Sequence, residues 1–243
     1  HITMKSICII GRGNVASHLQ TWLSEAGYEV SETNPRTFEG FKPNADLCIV
    51  AVTDSAIDEV ARKADAMLEN SKAIIVHNSG TVPLAELGEL SHHAGVLYPM
   101  QTFTKGRKLQ YNHIPVFVEG DSPETEKALM DLAADMTDNA RTADSNLRAH
   151  VHLGAVFACN YLNYMLMLAE KSIAPLGLST YGQLIEETVA KALEIGPEKA
   201  QTGPARRGDV KTLWAHMNLL QGHPHTSRVY RLLSQHILNL YKD

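Results

Sequence analysis

Residues 9–19 read Ile9-Ile10-Gly11-Arg12-Gly13-Asn14-Val15-Ala16-Ser17-His18-Leu19, and this stretch decides the fold. Ahead of the glycines, Ile7-Cys8-Ile9-Ile10 is short, apolar and mostly β-branched, which marks a buried strand. Behind them Val15, Leu19 and Leu23 recur at helical spacing, with Trp22 beside them. A strand, a tight glycine turn and a helix start make the phosphate-binding corner of a Rossmann unit. Gly11 permits the turn, Gly13 lets a pyrophosphate approach the backbone, and Ala16 keeps helix and strand close. The helix start at Asn14 and Val15 offers free N–H groups to an anion. The spacing G-x-G-x-x-A also occurs in tight strand-to-helix turns over an empty pocket, but between this strand and this helix it reads as a dinucleotide site.

The 243 residues suffice for one large domain or two smaller ones, and 44% are hydrophobic, as in soluble globular proteins. A net charge of -5 gives no electrostatic ground for nucleic acid or an anionic membrane as partner. The apolar runs fall short of the roughly 20 residues that span a bilayer, and no signal peptide precedes the first strand. His1-Ile2-Thr3, ahead of Met4, reads as a leader outside the fold. Cys8, Cys48 and Cys159 sit in apolar surroundings without paired spacing, as reduced core thiols of a cytoplasmic protein do. The 12 histidines are not joined to Cys, Asp or Glu at a structural-zinc spacing, so no metal is expected.

Strand-like and helix-like runs alternate through the first 140 residues or so. After the glycine turn come short strands near Tyr28–Ser31, Leu47–Val52, Ala73–Val76, Gly95–Tyr98 and Val116–Val118, with helices reaching about Leu68 and about Met136. The pattern predicts a parallel sheet with helices on both faces. From Asp144 onward it predicts helices alone: a long one from about Ser145 to Lys171, one from about Thr180 to Glu194, and one or two up to Tyr241. The expected architecture is α/β, a Rossmann-like domain over residues 4–143 followed by a smaller all-helical domain over 144–243.

Five stretches then occur in order: "IIGRGNVASHL", "VHNSGTVPL", "GVLYPMQTFTKGR", "HLGAVFACNYLN" and "AQTGPARRGD". Together they resemble, across nearly the whole chain, a bacterial family of provisionally named NADP oxidoreductases. That family joins a Rossmann-like module to a helical domain of unassigned function. It is related to pyrroline-5-carboxylate reductase, prephenate dehydrogenase and the 6-phosphogluconate dehydrogenase group. The resemblance implies the fold, a nicotinamide cofactor, and a helical domain that supplies substrate contacts and often a dimer interface. It implies no substrate.

Candidate site residues gather at the carboxyl ends of the strands, where open parallel sheets bind ligands. The tip of the second strand offers both Glu32, which would suit the ribose of NAD, and Arg36, which would suit the 2′-phosphate of NADP. NADP through Arg36 is favoured, because a guanidinium matches a phosphate; NAD remains open. Where the resembled family has Ser-Arg-Thr, this chain has Pro35-Arg36-Thr37. Ala51, Val52 and Thr53 are expected to line the ribose, and His77, Asn78, Ser79 and Gly80 the nicotinamide end. Tyr98 and Gln101 could donate to a substrate oxygen, or Tyr98 could simply pack.

On the long helix Arg148 and His152 are four apart and share a face. His152 is the first candidate for general acid–base work, the alternative being a hydrogen-bonded core histidine. Asn160 is the candidate orienting amide, and Asn163 returns to nearly the direction of His152. In "QTGPARRGD", Thr202 offers a hydroxyl and Arg206 or Arg207 a fork for an anionic group.

The reading that results is a cytoplasmic NADP-dependent oxidoreductase. It would pass hydride between the cofactor and a small anionic carbonyl, imine or alcohol, with Tyr98, Gln101, His152, Asn160, Thr202 and Arg206 as its catalytic set. The alternatives are a non-catalytic nucleotide-binding or redox-sensing module and a decarboxylating dehydrogenase of the prephenate type. A helix of roughly 40 Å carrying Phe157, Tyr161, Tyr164, Met165 and Leu168 also predicts a homodimer through the helical domain.

Overall fold

Seven strands form one sheet: β1 (Ser6–Ile10), β2 (Glu29–Thr33), β3 (Leu47–Val50), β4 (Ile74–His77), β5 (His93–Pro99), β6 (Val116–Gly120) and β7 (Ala140–Thr142). Their order is β2-β1-β3-β4-β5-β6-β7. These elements come from a computed structural model that describes residues 3–173 and 175–242; His1 and Ile2 of the leader lie outside the described residues.

The four-residue apolar runs become central strands because both faces are covered. Alternate side chains divide them. Ile7, Ile9, Leu47, Ile49, Ile74 and Val76 pack under α1 (Asn14–Glu25) and α3 (Pro123–Met136), meeting Leu19, Trp22, Leu23, Leu129 and Leu132. Cys8, Ile10, Cys48, Val50 and Ile75 face the other way, onto Ile57, Val60, Ala61 and Ala64 of α2 (Ile57–Met67). Two separate apolar layers about one sheet are what period-2 alternation requires.

Two expectations for the sheet are corrected. β6 runs antiparallel to β5, with Pro99 opposite Val116 and Gly95 opposite Gly120, whereas an all-parallel sheet was expected. A parallel return needs a crossover, usually a helix. The connection between Pro99 and Val116 holds none and stays at the strand ends. It is fastened to α1: His18 Nδ1 meets the Tyr111 hydroxyl at 2.8 Å, His18 Nε2 meets the Thr104 carbonyl at 2.7 Å, and Trp22 stacks on Tyr111 at 4.9 Å. The second correction is β7, a three-residue strand parallel to β6.

The chain divides into two compact units, one up to Asn160 and one from Tyr161. The division falls inside the long helix, which is α4 (Ser145–Ala155), a π-helical stretch (Val156–Tyr161) and α5 (Leu162–Ser172). In the first unit α4 is bolted to the sheet. The Arg148 guanidinium, 1% exposed, pairs with the Glu119 carboxylate and donates to the carbonyls of Ser79 (3.2 Å) and Val82 (2.6 Å). The Ser145 hydroxyl donates to Glu119 at 2.9 Å and accepts from the Leu84 N–H at 3.1 Å.

The second unit contains α5, α6 (Gly182–Ile195), the short α7 (Pro197–Ala200), α8 (Val210–Leu219) and α9 (Pro224–Leu240). His216 Nδ1 and the Tyr230 hydroxyl join α8 to α9 at 2.6 Å, and the Tyr241 hydroxyl donates to the Glu198 carbonyl at 2.6 Å.

By length and composition one helix among the described residues, Ser145–Ser172, is apolar enough to cross a membrane, with a mean hydropathy of 1.3. The sequence reading had found no such run, because histidines and asparagines interrupt this one without charging it. Its first half is committed to the sheet through Arg148 and Ser145. The 11 residues of α5 extend about 16 Å, well short of a hydrocarbon layer of about 30 Å.

Candidate active site

β1 ends at Ile10, and Gly11 follows with φ +154°; a Cβ there would collide with the carbonyl oxygen of Ala51. Only glycine fits between β1 and β3 at this point, and its N–H donates to the Thr33 carbonyl at 3.2 Å. Gly13 caps α1 without a side-chain bond, and a Cβ added to it would meet nothing within 4 Å. The two glycines therefore do different jobs: the first lets strands and turn close, the second borders open space at a helix N-terminus. Ala16, 3% exposed, packs the helix onto the sheet.

That open space is a groove of about 880 Å³. Its wall includes Gly11, Gly13, Asn14, Val15, Ala16, Arg36, Ala51, Val52, Thr53 and Asn78, ten residues singled out from sequence. It lies where the strand order reverses about β1, the position at which doubly wound sheets bind ligands. The Arg36 side chain has no hydrogen bond or ion pair among the described residues. Arg12, Phe38, Glu59 and Lys63 also line the groove and were missed; arginine and lysine on turns and helices read as solvated in a sequence.

Val15, Val52 and Asn78 also line a second cavity, of about 560 Å³. Within it stand Ser79, Gly80, Tyr98, Gln101, His152 and Asn160, again all proposed as site residues from sequence, together with Asp54, Met100 and Cys159, which were not; Cys159 was expected as a core thiol. Asp54 accepts from the Thr81 hydroxyl at 3.1 Å and so ties the end of β3 to the loop after β4. The Ser79 hydroxyl accepts from the N–H groups of Thr81 and Val82 at 3.1 and 3.0 Å, which folds that loop tightly.

Gly80 sits directly beneath His152: a Cβ there would strike the imidazole. The His152 ring lies 6.2 Å from that of Tyr98, and it makes no hydrogen bond among the described residues. Burial pushes the Tyr98 hydroxyl above its usual pKa, against a smaller opposing pull from Arg148, so the phenol keeps its proton at neutral pH. The Gln101 side-chain oxygen accepts from the Thr102 N–H at 2.8 Å, which leaves its amide NH2 available.

The π-helical stretch explains how Asn160 joins His152. On a regular α-helix, at about 100° per residue, Asn160 would stand roughly 80° from His152, and Asn163 nearly in line with it. From Val156 to Tyr161 the turns are wider, which winds the chain more slowly. The offset is taken back: His152, Val156, Cys159 and Asn160 share the cavity wall, and Asn163 falls in the second unit.

His77 corrects an expectation. Expected to line the nicotinamide end, it lines neither cavity and is fully buried at the end of β4. Its Nδ1 accepts from the Ser79 N–H at 3.0 Å, so the ring proton sits on Nε2, which has no partner. Burial, and secondarily the charge of Arg148, hold its pKa down to about 4, and the ring is neutral.

Thr202 and Arg206 belong to the second unit. There the Arg206 guanidinium lies 4.1 Å over the ring of Tyr241, and Arg207 stands 3.9 Å from Asp209. Both arginines of "PARR" thus have contacts of their own.

The sequence profile of a domain of unknown function, DUF2520, matches residues 114–237. No curated protein sequence matches the chain. Among solved structures, a Bacteroides fragilis protein provisionally named an NADP oxidoreductase is 32% identical, with a TM-score of 0.88 over 98% of this chain and 100% of that one. A Thermotoga maritima protein is 17% identical, with a TM-score of 0.70 over 97% and 98%. An imine reductase from Myxococcus stipitatus, solved with NADP+, shares the fold at 12% identity and a TM-score of 0.64, over 97% and 92%.

Proposed function

Since the chain belongs to the family defined by DUF2520, with a relative provisionally named an NADP oxidoreductase, we propose that it is an NADP-dependent oxidoreductase acting on a small carbonyl, imine or alcohol. One observation carries this reading: the glycine-turn groove and the cavity holding Tyr98, His152 and Asn160 share Val15, Val52 and Asn78 as a common wall. A dinucleotide laid along the first would bring one end to the mouth of the second. The residues fit such a group. Gly13 leaves room for a pyrophosphate, the α1 N-terminus has no side-chain cap to compete with it, and Arg36 is free for a 2′-phosphate.

When bound, the cofactor supplies or accepts the hydride. The protein's part is position and protons. Tyr98, kept protonated by burial, donates to the substrate oxygen or nitrogen as hydride arrives at the adjoining carbon; in the reverse direction it takes that proton back. His152, unpaired and 6.2 Å away by ring centroids, restores the proton from solvent, or donates directly to a larger substrate. The amides of Asn160 and Gln101 orient the polar end. The same proposal has the protein working in the cytoplasm as a homodimer through its helical unit. There Leu184, Trp214, Leu219 and Leu193 are 64% to 83% exposed, a surface that a second copy would cover.

The test is a titration of the chain with NADPH and NADH, followed by a panel of small carbonyl and imine compounds with the tighter cofactor. Tight NADPH binding with turnover of a panel member is the expected result. Binding without turnover over a broad panel would favour a nucleotide-sensing module, and no binding would remove the reading altogether. Light scattering at micromolar protein should return a dimer mass.

A further inference from the structure

Besides its arginines, the same groove holds a lysine, Lys63, set over an aromatic ring. We propose that Lys63, held over the ring of Phe38, is a ligand for the 2′-phosphate alongside Arg36 and sets the preference for NADPH over NADH; this rests on the cofactor reading above.

Lys63 lies on α2 and lines the groove with Arg12 and Arg36. Its ammonium stands 4.4 Å from the centroid of the Phe38 ring, close enough for a cation–π contact. Glu59, one turn earlier on the same helix, is at the i,i+4 spacing that commonly pairs with lysine. Among the described residues no ion pair joins the two. The lysine is thus fixed by a neutral ring and keeps its full charge for another partner.

The ring is there at a conformational cost. Phe38 has φ +58° and is the one non-glycine residue among those described with a positive φ. That region is unfavourable for a bulky side chain and persists only where its surroundings impose it. Here they do. The Phe38 N–H donates to the Asn34 carbonyl at 2.8 Å, and the Asn34 N–H donates to the Glu39 carbonyl at 3.0 Å. Asn34 Oδ1 accepts from the Arg36 N–H at 2.9 Å. This turn does two things at once: it buries the Phe38 ring, 6% exposed, under Lys63, and it leaves the Arg36 guanidinium unpaired on the groove wall.

Charge matches the ligand. Arg12, Arg36 and Lys63 bring three positive charges to the wall and Glu59 one negative, a balance of two. A phosphate monoester carries about -1.5 to -2 near neutral pH. A plain ribose would instead call for a carboxylate at the tip of β2. The acid there, Glu32, is not part of the wall, and Glu59 is outnumbered.

The experiment is calorimetric titration of the whole chain with 2′,5′-ADP and with 5′-AMP, which differ only in the phosphate at issue. Lys63→Met keeps the apolar stem over Phe38 and removes the charge. It should weaken 2′,5′-ADP by about tenfold or more, leave 5′-AMP within twofold, and be largely rescued in Lys63→Arg. Arg36→Ala should behave like Lys63→Met. If Lys63→Met weakens both nucleotides equally, or neither, while Arg36→Ala loses 2′,5′-ADP alone, the role of Lys63 is overturned and the cofactor reading stands. If the unaltered chain binds neither nucleotide, both fall together.

Discussion

The two cavities on the sheet's carboxyl edge are built by different means. The glycine-turn groove is made by backbone: a glycine that must pass under Ala51, a helix start without a cap, and strand tips. The cavity beside it is made by side chains brought from far apart in sequence, Tyr98 from β5, Asn78 and Gly80 from the loop after β4, and His152 and Asn160 from a helix that changes its winding between them. Backbone sites are imposed by local sequence; assembled sites depend on anchors elsewhere. The first should therefore break at single glycines, and the second at contacts that no substrate touches.

The largest expected effect separates Gly11 from Gly13. Gly11→Ala places a Cβ against the Ala51 carbonyl at a φ that side chains avoid, so the loss should reach several kcal/mol and much of the chain should not fold. Gly13→Val has open space around its new side chain and an extended backbone at φ -82°. It should melt within a few degrees of the unaltered protein and bind NADPH at least about a hundredfold more weakly, because the side chain occupies the pyrophosphate's place. If the two variants lost stability alike, the division of labour between these glycines would be wrong.

Next comes the anchor of the assembled cavity. Arg148→Met strands the Glu119 carboxylate, whose side chain is only 15% exposed. Losing one partner of a buried pair costs about 3–5 kcal/mol, measured by denaturant unfolding. Removing both charges in Arg148→Met/Glu119→Leu should recover much of it. A double variant no more stable than the single one would mean that the arginine's bonds to Ser79 and Val82, not the ion pair, hold α4 down.

How much of this was legible follows the same division. Gly11, Gly13, Ala16 and the apolar β-branched runs carry their conformation in their own chemistry, and the groove could be read from them. β7 could not: Ala140, Arg141 and Thr142 make a short edge strand, half or fully exposed, with no alternation to show. Nor could the direction of β6, which is set by where His18 and Trp22 pin the preceding loop. The π-helical stretch has no residue signature in "VFACNY": regular helical spacing would align Asn163 with His152, so the sequence named Asn160 without showing what turns it to the His152 side. Phe38 and Lys63 are 25 positions apart, and nothing local joins them.

A smaller effect follows from His77, the buried ring under the loop shared by both cavities. Its folded pKa, about 4, lies below the ordinary 6.5. Between those values the unfolded chain binds a proton that the fold refuses, so stability is full above pH 6.5 and falls as the pH drops toward 4. At about 1.4 kcal/mol per pH unit, the loss is about 3 kcal/mol at the bottom of the window. His77→Asn keeps an acceptor for the Ser79 N–H and cannot take up the proton. Melting temperatures followed from pH 7 to 4 should fall less steeply for that variant; parallel curves would assign the acid sensitivity elsewhere.

The smallest expected change in energy is also the one that isolates chemistry from construction. His152 rests on Gly80, faces Tyr98 and is otherwise unbonded, so replacing it should disturb neither the sheet nor the glycine turn. His152→Asn should therefore leave the melting temperature and the NADPH affinity close to those of the unaltered chain. With a substrate from the panel, turnover should fall about a hundredfold, or 2.7 kcal/mol, while Tyr98→Phe should fall at least as far if the phenol is the immediate donor. Since the two rings lie side by side, the pair should be non-additive, the double variant being little worse than Tyr98→Phe alone. A His152→Asn enzyme with full turnover would leave Tyr98 to exchange its proton with solvent unaided. A variant that lost NADPH binding instead would show that the assembled cavity is not separate from the groove, and the comparison would have to be redrawn around a single site.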